Sequence, residues 1–212
     1  MTKHINPSVP LPSAGLRGRH ILLASNSPRR RELLGMILPE FGIAEARDVD
    51  EIYPDGLPAD EVPVYLSRLK ASAYSDLLDD DLSLLLITAD TVVILDGRIL
   101  GKPRDRSDAV AMLESLSGKT HTVVTGVTLS SAGGCESFSE RTDVHFAPLT
   151  RGEIEAYVDS FRPYDKAGAY GIQEWIGAAA ISGIEGCFYN VMGLPLHALY
   201  SFLRKVGGKN SI

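Results

Sequence analysis

Cysteine is nearly absent from this chain of 212 residues: Cys135 and Cys187 lie far apart and in no Cys-x-x-Cys pair. That excludes a disulfide framework and fits a reducing compartment, so a cytoplasmic location is expected. No apolar run approaches the ~20 residues that cross a membrane, so no membrane partner is expected. The opening MTKHINPSVPLPSAGLRGR has basic residues but lacks the apolar core of a secretory signal. Its prolines and small residues predict a flexible tail over residues 1–18, with one domain over 19–212. The five histidines (His4, His20, His121, His145 and His197) form no metal-ligand spacing, and no Gly-x-Ser-x-Gly elbow occurs. Ser117–Thr120 reads SGKT, but a phosphate-binding P-loop needs glycine where Leu113 stands. Positive charge is also short. Lys and Arg number 21 against 27 acidic residues, a net charge of −6, which excludes the broad basic surface of a nucleic-acid binder.

Against that deficit, HILLASNSPRRRELLGM at residues 20–36 concentrates three arginines where an apolar run gives way to a helix. A helix N-terminus offers unpaired N–H groups and partial positive charge. Ser25 and Ser27 add hydroxyl donors, and the guanidinium forks of Arg29 and Arg30 match phosphate oxygens. Arginine is electrostatically misplaced near a helix N-terminus unless an anion binds there. The alternative is that Ser27 merely caps the helix while the arginines face water.

Ile21–Ala24 reads as a buried strand and Arg30–Ile37 as a helix, with Val64–Leu78 as a second helix. LSLLLITADTVVILDGRILGKP reads as a buried strand, a polar break and a hairpin turning at Asp96-Gly97. Ser107 can cap a helix to Leu116, with Gly118 as its left-handed terminator. Two β-rich runs meet at Ser-Ser-Ala-Gly-Gly. Thr150 to Glu153 is a capping box that opens a helix through Val158. YDKAGAYGIQEW reads as a loop plus a short strand, and Pro195–Val206 as the closing helix. Interleaved helices and frequent hairpins predict an α/β fold with a mixed twisted sheet and flanking helices.

Asp90 and Thr91 follow the apolar run Leu84–Ile87, and a carboxylate so placed can ligate Mg²⁺ or take a proton from water. Taken alone, such an Asp equally begins a turn. Glu51 lies in a polar loop, Lys70 beside an apolar helix stripe, and Lys102 in a Gly-Lys-Pro segment. Each is by itself an ordinary surface residue.

In order along the chain, LASNSPRRRELL, LKA, TADTVV, GKP, SGKTHTVVTGV, YDKAGAYGIQ and GLPL resemble the Maf family of nucleoside triphosphate pyrophosphatases. The resemblance spans about Ile21 to Leu196. It implies a fold like that of the inosine triphosphate pyrophosphatases, with two lobes around a cleft. It implies hydrolysis of a nucleoside triphosphate to monophosphate and diphosphate with a divalent metal, Mg²⁺ or Mn²⁺, and leaves room for a homodimer. Carried over by motif, Ser25, Ser27, Arg29 and Arg30 would grip the triphosphate. Asp90 would be the catalytic carboxylate, with Thr91 beside it, and Lys70 and Lys102 would neutralise phosphate. Glu51 would help Asp90 hold the metal. The AGAYGIQ form is similar to the subfamily acting on dTTP and UTP, with Gln173 reading the base. Glu174-Trp175 and Cys187-Phe188 depart from the usual pattern. The rival readings are a nucleotide-binding regulator of cell division without turnover, and a pyrophosphatase for modified or purine nucleotides.

Overall fold

The structure, a computed structural model, describes residues 2–5 and 8–206. Residues 1, 6, 7 and 207–212, which the sequence reading assigned to the tail and the domain, lie outside the described residues. Among the described residues one mixed sheet holds eight strands, in the order β1-β3-β2-β4-β6-β7-β8 with β5 against β4. The strands are β1 (Thr2–Ile5), β2 (His20–Leu23), β3 (Glu40–Ile43), β4 (Leu84–Leu95), β5 (Arg98–Leu100), β6 (Thr120–Ser131), β7 (Gly134–Phe146) and β8 (Ile181–Glu185). Pairing is parallel at β2–β3 and β2–β4 and antiparallel at every other junction. The predicted mixed α/β sheet is therefore present, with helices packed on it.

Alternation along β4 organises the interior. Leu85, Ile87 and Ala89 join one core cluster with Leu33 and Leu34 of α1 (Pro28–Gly35) and Leu199 and Leu203 of α8 (Leu196–Leu203). Val93 and Leu95 join a second cluster with Leu113 of α4 (Arg106–Leu116) and Val158 of α5 (Arg151–Phe161). Thr91 stands between them on the same face. The even positions turn the other way. Leu84 and Leu86 pack with Ala71 and Tyr74, and Val92 packs with Val62 and Leu66 of α2 (Val62–Ser72). Asp90 lies within that second face.

Several expectations need correction. The polar break in β4 does not exist: Thr88 and Asp90 keep their ladder partners Thr128 and Gly126. Their side chains are satisfied from α2, since the Thr88 hydroxyl donates to the Ser67 carbonyl at 2.7 Å and Lys70 pairs with Asp90. The backbone thus has no reason to leave the sheet. The helix expected over Val64–Leu78 splits into α2 and α3 (Ser75–Asp80), because Tyr74 leaves helical geometry to bury its ring and donate to the Glu45 carbonyl at 2.9 Å. The expected flexible tail is anchored instead: β1 pairs with β3, Leu16 is buried, and the Ser13 hydroxyl bonds the Leu203 and Val206 carbonyls. Asp105, not Ser107, caps α4. The strand expected in YDKAGAYGIQEW is absent. Ala167–Ala169 form a single 3₁₀ turn, in which Gly168 and Ala169 take left-handed φ values of 69° and 59°. A strand cannot pass through such geometry. The segment then enters the short helices α6 (Trp175–Ala179) and, after β8, α7 (Phe188–Val191).

One close approach fixes α2. A Cβ on Gly126 of β6 would lie 2.3 Å from the Pro63 and Val64 backbone, so the N-terminal turn of α2 sits directly on the strand. Gly126→Ala is expected to lift α2 and cost about 1–3 kcal/mol, as overpacking does. Urea denaturation of wild type and variant measures it.

Candidate active site

Every candidate residue lines a single cleft of about 760 Å³: Ser25, Ser27, Arg29, Arg30, Glu51, Lys70, Asp90, Thr91, Lys102 and Gln173. Sequence distance is closed by topology. Parallel pairing sets the end of β2, and so the start of α1, beside the middle of β4, while α2 lies across β4 and β6.

The Ser25–Arg30 segment does what its composition suggested, in two parts. The Ser27 hydroxyl oxygen caps α1 by accepting from the Arg30 amide at 3.4 Å. The Ser25 hydroxyl oxygen accepts from the Ser27 amide at 3.2 Å. Both serve locally as acceptors, so each keeps its own O–H to donate to an anion. The capping and anion-binding readings are compatible.

The two arginines behave differently. Arg29 Nη1 donates to Asp165 Oδ2 at 2.8 Å, and that carboxylate is more than half exposed. An exposed pair of this kind is worth little in water. Arg30 is instead a strut. Its Nε donates to the Gly193 carbonyl at 2.8 Å, Nη1 to the Ala89 carbonyl at 2.8 Å and Nη2 to the Thr91 hydroxyl at 3.0 Å. Thr91 in turn meets Thr125 at 2.9 Å, and Thr125 donates to the Asn190 carbonyl at 3.2 Å. Burial pulls the Arg30 guanidinium below the usual arginine range, with Asp90 opposing that shift. Three of its five N–H groups are committed to protein, and two remain.

The other face of β4 supplies the acidic centre. Lys70 Nζ lies 2.5 Å from Asp90 Oδ1 and 2.9 Å from Glu51 Oε1. Burial works against ionising Glu51, but the hydrogen bond and charge of Lys70, with the charges of Lys102 and Arg30, together outweigh it and hold this carboxyl below its ordinary value. Glu51 is about half exposed, yet this ion pair ties it into the site. Among the described residues no cluster of three His, Cys, Asp or Glu side chains forms a metal cage. Two carboxylates nevertheless converge on one ammonium, a point built for positive charge. Mg²⁺ needs no more than one or two carboxylates when phosphate supplies other oxygens, so the donor set fits. Lys102 is exposed at the cleft rim.

Gln173 is exposed on the cleft wall at the far end of the Tyr164–Gln173 segment. That segment is held by Gly168, whose amide donates to the Gly101 carbonyl at 3.0 Å next to Lys102. Residues the sequence reading did not single out also line the cleft, among them Asp165, Lys166 and Tyr170. Their signal was their place inside YDKAGAYGIQ, a motif read there only for its turns and its glutamine.

Serine hydroxyls, two arginines, a lysine at the rim and a buried carboxylate paired with a second lysine are thus gathered in one cleft of an α/β protein. The comparisons with known proteins give the family. The model of a family described as "Maf-like protein" matches residues 20–206, and the chain belongs to the Maf family. It is 53% identical over 197 residues to the "dTTP/UTP pyrophosphatase" of Porphyromonas gingivalis, covering 92% of this chain and 98% of that one. It is 51% identical over 186 residues to the protein of the same name from Bacteroides thetaiotaomicron, covering 88% and 95%. Among solved structures, that of the Staphylococcus aureus Ham1 protein is similar over 61% of this chain and 72% of that chain, at 17% identity and a TM-score of 0.44.

The two arginines should separate in stability. Arg30→Ala strips donors from three buried or half-buried acceptors and is expected to cost about 2 kcal/mol or more. Arg29→Ala breaks only an exposed pair and should change stability by less than about 0.5 kcal/mol. Urea denaturation of both variants decides.

Proposed function

We propose that this protein hydrolyses nucleoside triphosphates, dTTP and UTP foremost, to the nucleoside monophosphate and diphosphate. The observation that carries the reading is Asp90, sunk in the middle of β4, facing the cleft and held by Lys70, with phosphate-type donors on the adjoining wall. Arg29 would exchange Asp165 for the triphosphate, Ser25 and Ser27 would donate their free O–H groups, and Lys102 would close the grip from the rim. Arg30 would act chiefly by fixing α1 against β4 and the Gly193 turn, with its two remaining N–H groups available to phosphate. Phosphoryl transfer depends on positioning and charge neutralisation more than on covalent chemistry, which is what this set offers. Asp90 would accept the proton of the attacking water, its orientation held by the Lys70 ammonium. Glu51 and Asp90 would hold a divalent cation, Mg²⁺ or Mn²⁺, which when bound neutralises phosphate charge and makes a bound water more acidic.

Base choice is assigned to Gln173. Uracil and thymine present an N3–H donor flanked by carbonyl acceptors, and a side-chain amide carries both an acceptor and donors. A carboxylate offers acceptors alone and would suit the donor-rich edge of guanine. The curated relatives named dTTP/UTP pyrophosphatase support the same choice.

The reading is tested by incubating the protein with Mg²⁺ and each common triphosphate and identifying the products. Diphosphate with monophosphate is expected, fastest from dTTP and UTP. Orthophosphate with a nucleoside diphosphate, or no turnover at all, would contradict it. Gln173→Glu is expected to lower the UTP-to-GTP ratio of kcat/KM by roughly an order of magnitude, because a site built for one edge rejects its opposite. An unchanged ratio would place base reading elsewhere.

A further inference from the structure

We infer that Glu174 and Tyr157 are positioning residues that hold the base-reading turn and, before nucleotide binds, tie it to Arg29 through one continuous chain of bonds. This rests on the proposed role of Gln173 and adds to it. Glu174 occupies the N-cap position of α6, where a carboxylate ordinarily bonds the helix's own amides, yet it makes no cap bond. Its side chain, only 18% exposed, turns inward instead. Oε1 pairs with Lys166 Nζ at 3.0 Å, and Oε2 accepts a hydrogen bond from the Tyr157 hydroxyl. The Tyr157 oxygen then accepts from the Gly171 amide at 3.1 Å, two residues before Gln173. In the other direction Lys166 Nζ reaches Asp165 Oδ1 at 2.8 Å, and Asp165 Oδ2 receives Arg29.

The turn has little freedom once these bonds are made. The Glu174 amide closes it by donating to the Gly171 carbonyl at 3.0 Å. Gly177 packs so tightly under Ile172 that a Cβ there would lie 1.7 Å from the Ile172 carbonyl oxygen. Tyr157 is 1% exposed, and burial with the adjacent carboxylate raises its hydroxyl above the usual tyrosine range, so it stays a donor. Burial favours the neutral form of Asp165, but the hydrogen bonds and charges of Lys166 and Arg29 together outweigh that and pull its carboxyl down to about 2. The Asp165 carboxylate thus remains available to the shared lysine. A carboxylate is required at position 174 because it must accept from a tyrosine and a lysine at once. An amide has one acceptor oxygen, and its NH₂ would face one of those two donors.

The test compares kcat and KM for UTP and GTP in wild type, Glu174→Gln and Tyr157→Phe. Neither change leaves a buried orphan cation, since Lys166 keeps Asp165, and Tyr157→Phe keeps the ring stacked 5.0 Å from Phe161. The UTP-to-GTP ratio of kcat/KM is expected to fall about fivefold or more in both variants. The change should come through KM for UTP, with its kcat within about threefold of wild type. A role confined to folding would depress both nucleotides alike and leave the ratio fixed, and a fixed ratio in either folded variant overturns the inference. If Glu174→Gln does not fold, Tyr157→Phe alone decides. Gln173→Glu is run in parallel. Movement there, with none at 174 and 157, leaves base reading standing and removes the relay. No movement in any of the three removes both. Movement at 174 or 157 without movement at 173 also overturns the relay, because the turn would then act on something other than Gln173.

Discussion

The Lys70 ammonium, set between Asp90 and Glu51, is the interaction on which the site depends. Asp90 is a buried carboxylate in the interior of a central strand, beside the likewise buried Thr88, Ala89 and Val92. An unpaired charge there would carry a heavy desolvation cost. Lys70 removes that pressure. To do so it must reach across from α2, and α2 can lie close enough because Gly126 presents no side chain beneath its first turn. The position of one helix, the absence of one Cβ and the pairing of one buried carboxylate are a single arrangement.

The strand's twofold period divides the labour. Asp90 and Thr91 are neighbours in sequence but point to opposite faces. Asp90 meets α2 and the acidic centre, while Thr91 meets Arg30 and the hydroxyl relay to Asn190. The protein thus braces α1 and the Gly193 turn from one side of β4 and presents its carboxylate from the other. A chain with net charge −6 can hold a polyanion only by gathering cations locally, and these two faces gather them without bringing Arg30 into direct contact with Asp90.

Much of this was legible beforehand where chemistry is local. Ser27 as helix cap, Thr150 with Glu153 as capping box and Gly118 in left-handed geometry all follow from side chains acting on adjacent backbone. What was not legible depended on distant partners. Asp90 was read as ending a strand because a charged residue in isolation does so. Only α2, twenty residues away in sequence, makes it tolerable inside. Arg30 was indistinguishable from Arg29 by type and position, and the carbonyls of Ala89 and Gly193 make the difference. The anchoring of the N-terminal stretch by β3 and α8 was invisible for the same reason, as was the inward turn of Glu174.

The central claim is that Asp90 is the reaction centre rather than a buried structural acid. Its most direct test is single-turnover hydrolysis of dTTP by Asp90→Asn beside equilibrium binding of the same nucleotide. Asparagine keeps the shape and a hydrogen-bonding oxygen but cannot take a proton. Hydrolysis is expected to slow by about 10²-fold or more, the order for losing a general base, with nucleotide binding largely retained. Hydrolysis within a few-fold of wild type in a folded Asp90→Asn protein would contradict the claim.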